Sequence, residues 1–340
     1  MTDPLDWDAL VREAKRRRAA ENLTQQAHAA LAGVSRDTIR SFDQGGRSLT
    51  LEKALAILNV VGLVARAGMG TTAEEQRHAA FVRRCWDRWE ALIAHRPAND
   101  PARLPHGRVA YSYYLDGRLF DADAHEALAA MEKAQSLMRA LSRTRSVSGW
   151  PPFHIFEKAS LRPDITEGEL ECWLGKDPED RVFYDAPHLD YWRVSAEGDF
   201  FLLRGYQEDG ADSQEPGTFL DIGLPVWRLA DVLEHALELT GALPAKLDRI
   251  TFQTEWQGLK GRHLVNWVRP TATMRGGRAY RSPVDTVRGT VSVQASEGAD
   301  ALREAVLALS APLYAAFAVS DPEQLVAEEL DRRHLKMQGG

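Results

Sequence analysis

The sequence predicts a multidomain protein: an all-α N-terminal domain, a helical linker layer, and an α+β C-terminal domain with a mainly antiparallel sheet. Three observations carry the prediction. At 340 residues the chain exceeds the usual single-domain size. Up to about residue 145 its apolar residues recur at i, i+3, i+4 spacing; from Val147 onward short apolar or alternating runs separated by turn residues replace that period. The expected divisions are an N-terminal domain over 1–68, a helical linker or dimerisation segment over 69–145, an α+β regulatory domain over 146–331, and a frayed tail over 332–340.

The first expected helix, Trp7 to Ala20, places Trp7, Leu10, Val11 and Ala14 on one side and ends in the basic run Lys15 to Arg18. Thr24 then caps a short helix carrying Ala27, Leu31 and Ala32, which Gly33 stops. Ser35 caps a second, where Ile39 and Phe42 face inward while Arg36, Asp37, Thr38, Arg40 and Ser41 stay polar. One buried stripe and a short polar opposite face suit the reading of base edges in a major groove. Gln44 to Ser48 forms a loop, Leu51, Ala54, Leu55, Leu58 and Val61 form a closing helix, and Gly62 ends it.

The segments LTQ, GVSRDTI and SLTLEKALAILNVVGL together resemble the helix-turn-helix domain of Xre/Cro-type repressors, over about Trp7 to Val64. Two departures stand out. His28 replaces a large aliphatic residue, so it either bonds a nearby carbonyl or leaves the core underpacked, and Ala32 is smaller than the usual leucine. The resemblance implies double-stranded DNA as partner. It also implies contacts from Gln25, Ser35, Arg36, Asp37, Thr38, Arg40 and Ser41, with Arg47 on the backbone. Chemistry allocates their roles. Arg36 or Arg40 fits guanine O6 and N7, worth about 1–3 kcal/mol of discrimination. Gln25 and Ser35 suit phosphates at helix N-termini. Asp37 either accepts from a cytosine amino group or complements the helix dipole. Arg16, Arg17 and Arg18 suit phosphate contact, with favourable placement at a helix C-terminus as the alternative.

The net charge of -7 looks unsuited to DNA until it is divided by region. Residues 1–68 hold 10 basic and 8 acidic residues, a net of +2, so the remainder carries -9. The expected DNA-facing field therefore belongs to the N-terminal domain alone.

Ala65 to Thr72, small and glycine-bearing, reads as the interdomain linker. Ala73 to His95 reads as a long amphipathic helix bearing Trp86 and Trp89, and Ala122 to Arg143 as a second helix with Leu128, Met131, Leu137, Met138 and Leu141 on one side. FHIFEKA, LECWLG, DYWRVSA, DFFLLRGY, TFLDIGL, RITFQTEW and TVSVQAS read as strands, with a hairpin turn at Glu197 to Asp199. Leu224 to Thr240 and Ala299 to Phe317 read as helices. In this half SGWPPF, ELECWLG, YWRVSAEGDFFLLRGYQED, GLPVWRLADVLEHAL and WQGLKGR are similar to the accessory region of bacterial proteins carrying an AlbA-like DNA-binding domain, over about Gly149 to Arg262. An effector or partner domain is what that likeness implies.

No nucleophile elbow, phosphate loop or zinc-protease motif is present, so neither catalytic residues, metal ligands nor cofactors are expected. Glu167, Glu169 and Glu171 share one face if extended, and read as a solvated strand face. Trp192, Arg204, Tyr206, Trp256, Lys260 and Arg262 are candidates for a small-molecule pocket, against the alternative of core packing. Cys85 and Cys172 are expected as packed thiols. Without an apolar run of membrane-spanning length, no membrane partner is expected and the cytoplasm is the expected location. These observations lead to a homodimeric transcriptional regulator on an inverted-repeat operator, controlled by a small-molecule or protein effector. An antitoxin-like interaction protein and a DNA-targeted enzyme are the alternatives.

Overall fold

The computed structural model describes residues 6–20, 23–63, 72–115, 124–141, 149–210, 215–242, 249–268, 280–294 and 298–335. The expected linker, apart from Thr72, lies outside them. Four short helices come first: α1 Trp7–Ala20, α2 Gln25–Leu31, α3 Arg36–Asp43 and α4 Leu51–Val60. Each of α2, α3 and α4 begins at a side-chain cap, with Thr24, Ser35 and Thr50 accepting from the amides of Ala27, Thr38 and Lys53. Gly33 takes a positive φ of 63°, which lets α2 end and α3 leave at an angle. Val11, Ala14, Ala29, Ile39, Phe42, Ile57, Leu58 and Val61 make the core, and Trp7 meets Phe42 edge to face at 5.5 Å. Burying Ile39 and Phe42 completely contributes about 1.5–3 kcal/mol each. This domain is called the reader below.

The body begins with α5 Ala73–Ile93, opened by a reciprocal box in which Thr72 and Glu75 each cap the other's amide, at 3.1 and 2.9 Å. Then follow β1 Arg108–Leu115, α6 Ala124–Leu141, β2 Asp164–Thr166, β3 Glu169–Trp173, β4 Tyr191–Val194, β5 Asp199–Gly205, β6 Phe219–Asp221, α7 Leu224–Ala242, β7 Arg249–Gln257, β8 His263–Val265, β9 Val287–Gln294, α8 Gly298–Ala316 and α9 Pro322–Leu335. Seven strands form one antiparallel sheet in the order β2-β3-β4-β5-β1-β7-β9, and β6 pairs β8 in a small parallel sheet. Val109, Tyr111, Tyr113 and Leu115 point into a large core under α6, α7 and α8. On the opposite face Phe81, Cys85, Trp89 and Ile93 of α5 cover Ala110, Phe201 and Leu203.

The sequence expectations need correction at four places. The segment 69–145 is more than a helical layer, because β1 lies at the middle of the sheet between β5 and β7. FHIFEKA forms no strand. Gln135 of α6 instead accepts from the Ile155 amide at 2.8 Å and donates to its carbonyl at 3.1 Å, replacing a ladder partner. Of the three glutamates read as a solvated face only Glu167 is exposed: Glu169 and Glu171 are buried, paired with Arg84, Arg88 and Arg193. Residues 332–335 are helical, and fully buried Arg333 donates to Glu234 at 2.6 and 2.7 Å and to Asp231. Both cysteines are free and buried, and burial pushes both thiols up. Among the described residues no helix is long and apolar enough to cross a membrane.

Candidate nucleic-acid interface

The reader presents α3 outward. Its N-cap is fixed by Ser35, whose Oγ accepts from the Thr38 amide at 3.2 Å and lies 2.8 Å from Thr38 Oγ1. Arg36, Asp37 and Arg40 are exposed, and their side chains make no hydrogen bond or ion pair with another described residue. They are free for an external partner. Thr38 and Ser41 are half-buried along the rim of the same helix, and Arg47 extends from the next loop toward Asp8 at 3.7 Å. That loop is tight because the Gly46 amide donates to the Ser41 carbonyl at 2.8 Å. A Cβ at Gly46 would come within 2.8 Å of the same oxygen.

The basic run resolves into four different environments. Lys15 is exposed with no partner among the described residues. Arg16 grips Glu13 at 2.7 and 2.6 Å. Arg17 donates to Glu13 and to the carbonyls of Val61 and Gly62 at 3.2 and 2.8 Å, closing the C-terminus of α4. The bonds from Arg16 first, and then those from Arg17, bring the Glu13 carboxyl down to about 2. Arg18 turns inward, against the phosphate role expected for it. Its guanidinium holds both oxygens of Asp43 at 2.9 and 2.6 Å, and Gln25 donates its amide to Asp43 Oδ2 at 2.6 Å. Gln25 is therefore fixed at the start of α2 by an internal bond. His28 is completely buried with Nε2 2.9 Å from the Ile57 carbonyl, which realises the first of its two expected alternatives. Burial, aided by the charge of Arg18, lowers its pKa below the ordinary imidazole value.

Position in the sequence revealed the exposed residues of α3 because a capped amphipathic helix has a predictable outer face. Neither the inward turn of Arg18 nor the anchoring role of Asp43 had a local signal, since the two are 25 residues apart and meet only when α1 crosses α3.

Residues 15–65 match the helix-turn-helix family model. The chain carries a helix-turn-helix DNA-binding domain. No curated protein and no solved structure matches the chain, so the likeness of 149–262 to AlbA-like proteins carries nothing further.

In the body the six candidate pocket residues do not enclose a site. Trp192 and Trp256 are buried in the core, and Trp192 donates to the His154 carbonyl at 3.3 Å. Arg204 holds Asp190 at 2.8 and 2.5 Å and donates to the carbonyls of Trp150 and Pro151. Tyr206 donates to the Gln257 carbonyl at 2.9 Å. Arg262, wholly buried, stacks 4.6 Å over the Tyr206 ring and spends its donors on Asp209 and the carbonyls of Gly258, Phe219 and His106. Lys260 alone stays exposed. Their polar atoms stitch loops to the sheet, which leaves no converging set for a ligand. Among the described residues no cluster of three or more His, Cys, Asp or Glu suited to a metal ion occurs.

Proposed function

We propose that the protein is a sequence-specific transcriptional regulator that reads the major groove with α3 and binds an inverted repeat as a homodimer. The observation that carries this reading is the set of Arg36, Asp37 and Arg40, exposed on one capped helix with no internal partner. Buried or paired side chains would have to break bonds to reach a base; these do not. Arg36 and Arg40 supply base discrimination of about 1–3 kcal/mol each, and Ser35 and Arg47 position the helix on the backbone. Dimerisation follows from the size of the reader. One such domain makes few base contacts, and two-fold pairing doubles them at half-sites about 34 Å apart. The body, with its own cores, is the larger partner in the chain and the place where a small-molecule or protein effector would act.

Genome-wide footprinting with the full chain and with Arg36→Ala/Arg40→Ala tests the reading. The full chain should protect paired half-sites, and the variant should fold normally but lose sequence preference. Unchanged footprints in the variant would overturn the assignment of α3.

A further inference from the structure

The covering of the sheet by α5 brings together three side chains far apart in sequence. His78 of α5 is completely buried, with Nδ1 3.0 Å from Asp199 Oδ1 of β5 and Nε2 3.1 Å from Ser112 Oγ of β1. Asp199 also accepts from Arg77 Nε at 3.1 Å and from the Ser195 hydroxyl at 3.0 Å. Burial alone raises its carboxyl, but the bonds from His78 and Arg77 outweigh that and hold it below the usual value. Asp199 accepts from an Nδ1–H, and in the imidazole tautomer with its proton on Nδ1, Nε2 is left to accept from the Ser112 hydroxyl. This is the order in which a serine is activated for attack: hydroxyl to imidazole, imidazole to carboxylate.

Ser112 is one wall of a cavity of about 120 Å³ between α5 and the uncovered half of the sheet, lined also by Trp86, Phe201, Gln253, Arg288 and Thr290. Gln253 sits directly opposite Ser112 in the β1–β7 ladder, and its side chain makes no hydrogen bond with another described residue. Opposed residues on one face have Cβ atoms about 4.5–5.5 Å apart, so its amide is within reach of an oxygen bound at Ser112. Arg288 stands exposed at the mouth.

We infer that Ser112, His78 and Asp199 form an acyl-transfer centre that hydrolyses esters of short acyl groups. Ser112 Oγ attacks the carbonyl carbon as its proton moves to His78 Nε2. The carbonyl oxygen becomes an oxyanion facing Gln253. The carbon–oxygen bond to the alcohol then breaks, and His78 returns the proton to the departing alcohol. Water attacks the acyl-serine with His78 again taking a proton, releasing the carboxylic acid and restoring Ser112. Asp199 is a positioning residue, fixing the imidazole tautomer. The cavity volume limits the acyl group to a few heavy atoms, since about 150 Å³ holds a benzene ring.

The test uses the full chain, with a fluorophosphonate probe followed by peptide mapping, and p-nitrophenyl acetate as substrate. The expected result is one adduct, on Ser112, and hydrolysis that falls to background in Ser112→Ala, a change that removes one hydroxyl and should leave circular dichroism and DNA binding unchanged. His78→Gln, if it folds, should abolish the adduct; if it does not fold, labelling of the unaltered chain still decides. No adduct, an adduct on another residue, or equal hydrolysis by Ser112→Ala would show that the three residues only fasten α5 to the sheet. An adduct on Ser112 that persists in a folded His78→Gln variant would equally overturn the relay.

Discussion

Replacing Asp43 by alanine should unfold the reader and leave the body standing. In the native reader Asp43 is the shared acceptor for Arg18 and Gln25, with Arg18 and Asp43 side chains only 11% and 8% exposed. Removing the carboxylate leaves a guanidinium inside the reader beside His28 Nδ1, 3.5 Å away, a group that burial keeps neutral. Breaking a buried ion pair in this way costs about 3–5 kcal/mol. A domain of this size has a total stability of about 3–8 kcal/mol, so the loss consumes most or all of it. The assay is thermal unfolding by far-UV circular dichroism together with anisotropy on a generic duplex at low salt, where phosphate contacts suffice for binding. Asp43→Ala should lose duplex binding and part of the helical signal at room temperature, while tryptophan fluorescence from the body persists. The apolar pair Arg18→Met/Asp43→Leu should recover folding, because replacing both partners removes the desolvation cost with the interaction. An Asp43→Ala variant whose reader melts at the native temperature would refute this account of the cluster, and failure of the double variant alone would place its importance in Gln25 or His28.

Three further outcomes follow. Lys15→Ala should lower the slope of log affinity against log salt by about 1, whereas Arg17→Ala should leave the slope unchanged and lower reader stability by about 1 kcal/mol, because Arg17 closes α4 and Lys15 is free; equal slope changes would contradict this division. Buried Glu208 accepts from the Asp221 amide at 2.6 Å, and burial first, then the charge of Asp221, raises its pKa to about 7. Its folded value lies above its unfolded value of 4.5, so stability is lost as pH rises from about 4.5 to 7, by about 3 kcal/mol. Glu208→Gln should therefore match the native protein at pH 4.5 and exceed it at pH 8 in denaturant melts, a result that a flat native profile would exclude. Gln135→Ala should destabilise the body by about 2–5 kcal/mol, since it strands both buried backbone groups of Ile155; a loss below 1 kcal/mol would mean that water or a shifted loop takes its place.

The sequence by itself determined the reader. Thr24, Gly33, Ser35 and Phe42 act within a few residues of where they stand, through caps, a left-handed turn and helical periodicity, so their positions in the chain already state their roles. Six strands of the body were legible for the same local reason, but FHIFEKA was misread as one and β1, β2 and β8 were missed: β2 and β8 are only three residues long, and β1, RVAYSYYL, is buried on both faces after Arg108, so it lacks the alternation that marks a half-buried strand. Tertiary structure decided everything that depends on pairing across the chain. It turned Arg18 inward to Asp43, consumed the polar atoms of Arg204, Tyr206 and Arg262 in holding loops to the sheet, and set Glu169 and Glu171 under α5 against arginines. Above all it placed Ser112 and Asp199, 34 and 121 residues from His78, on either side of its imidazole at 3.1 and 3.0 Å, which only the crossing of a helix over a sheet can do.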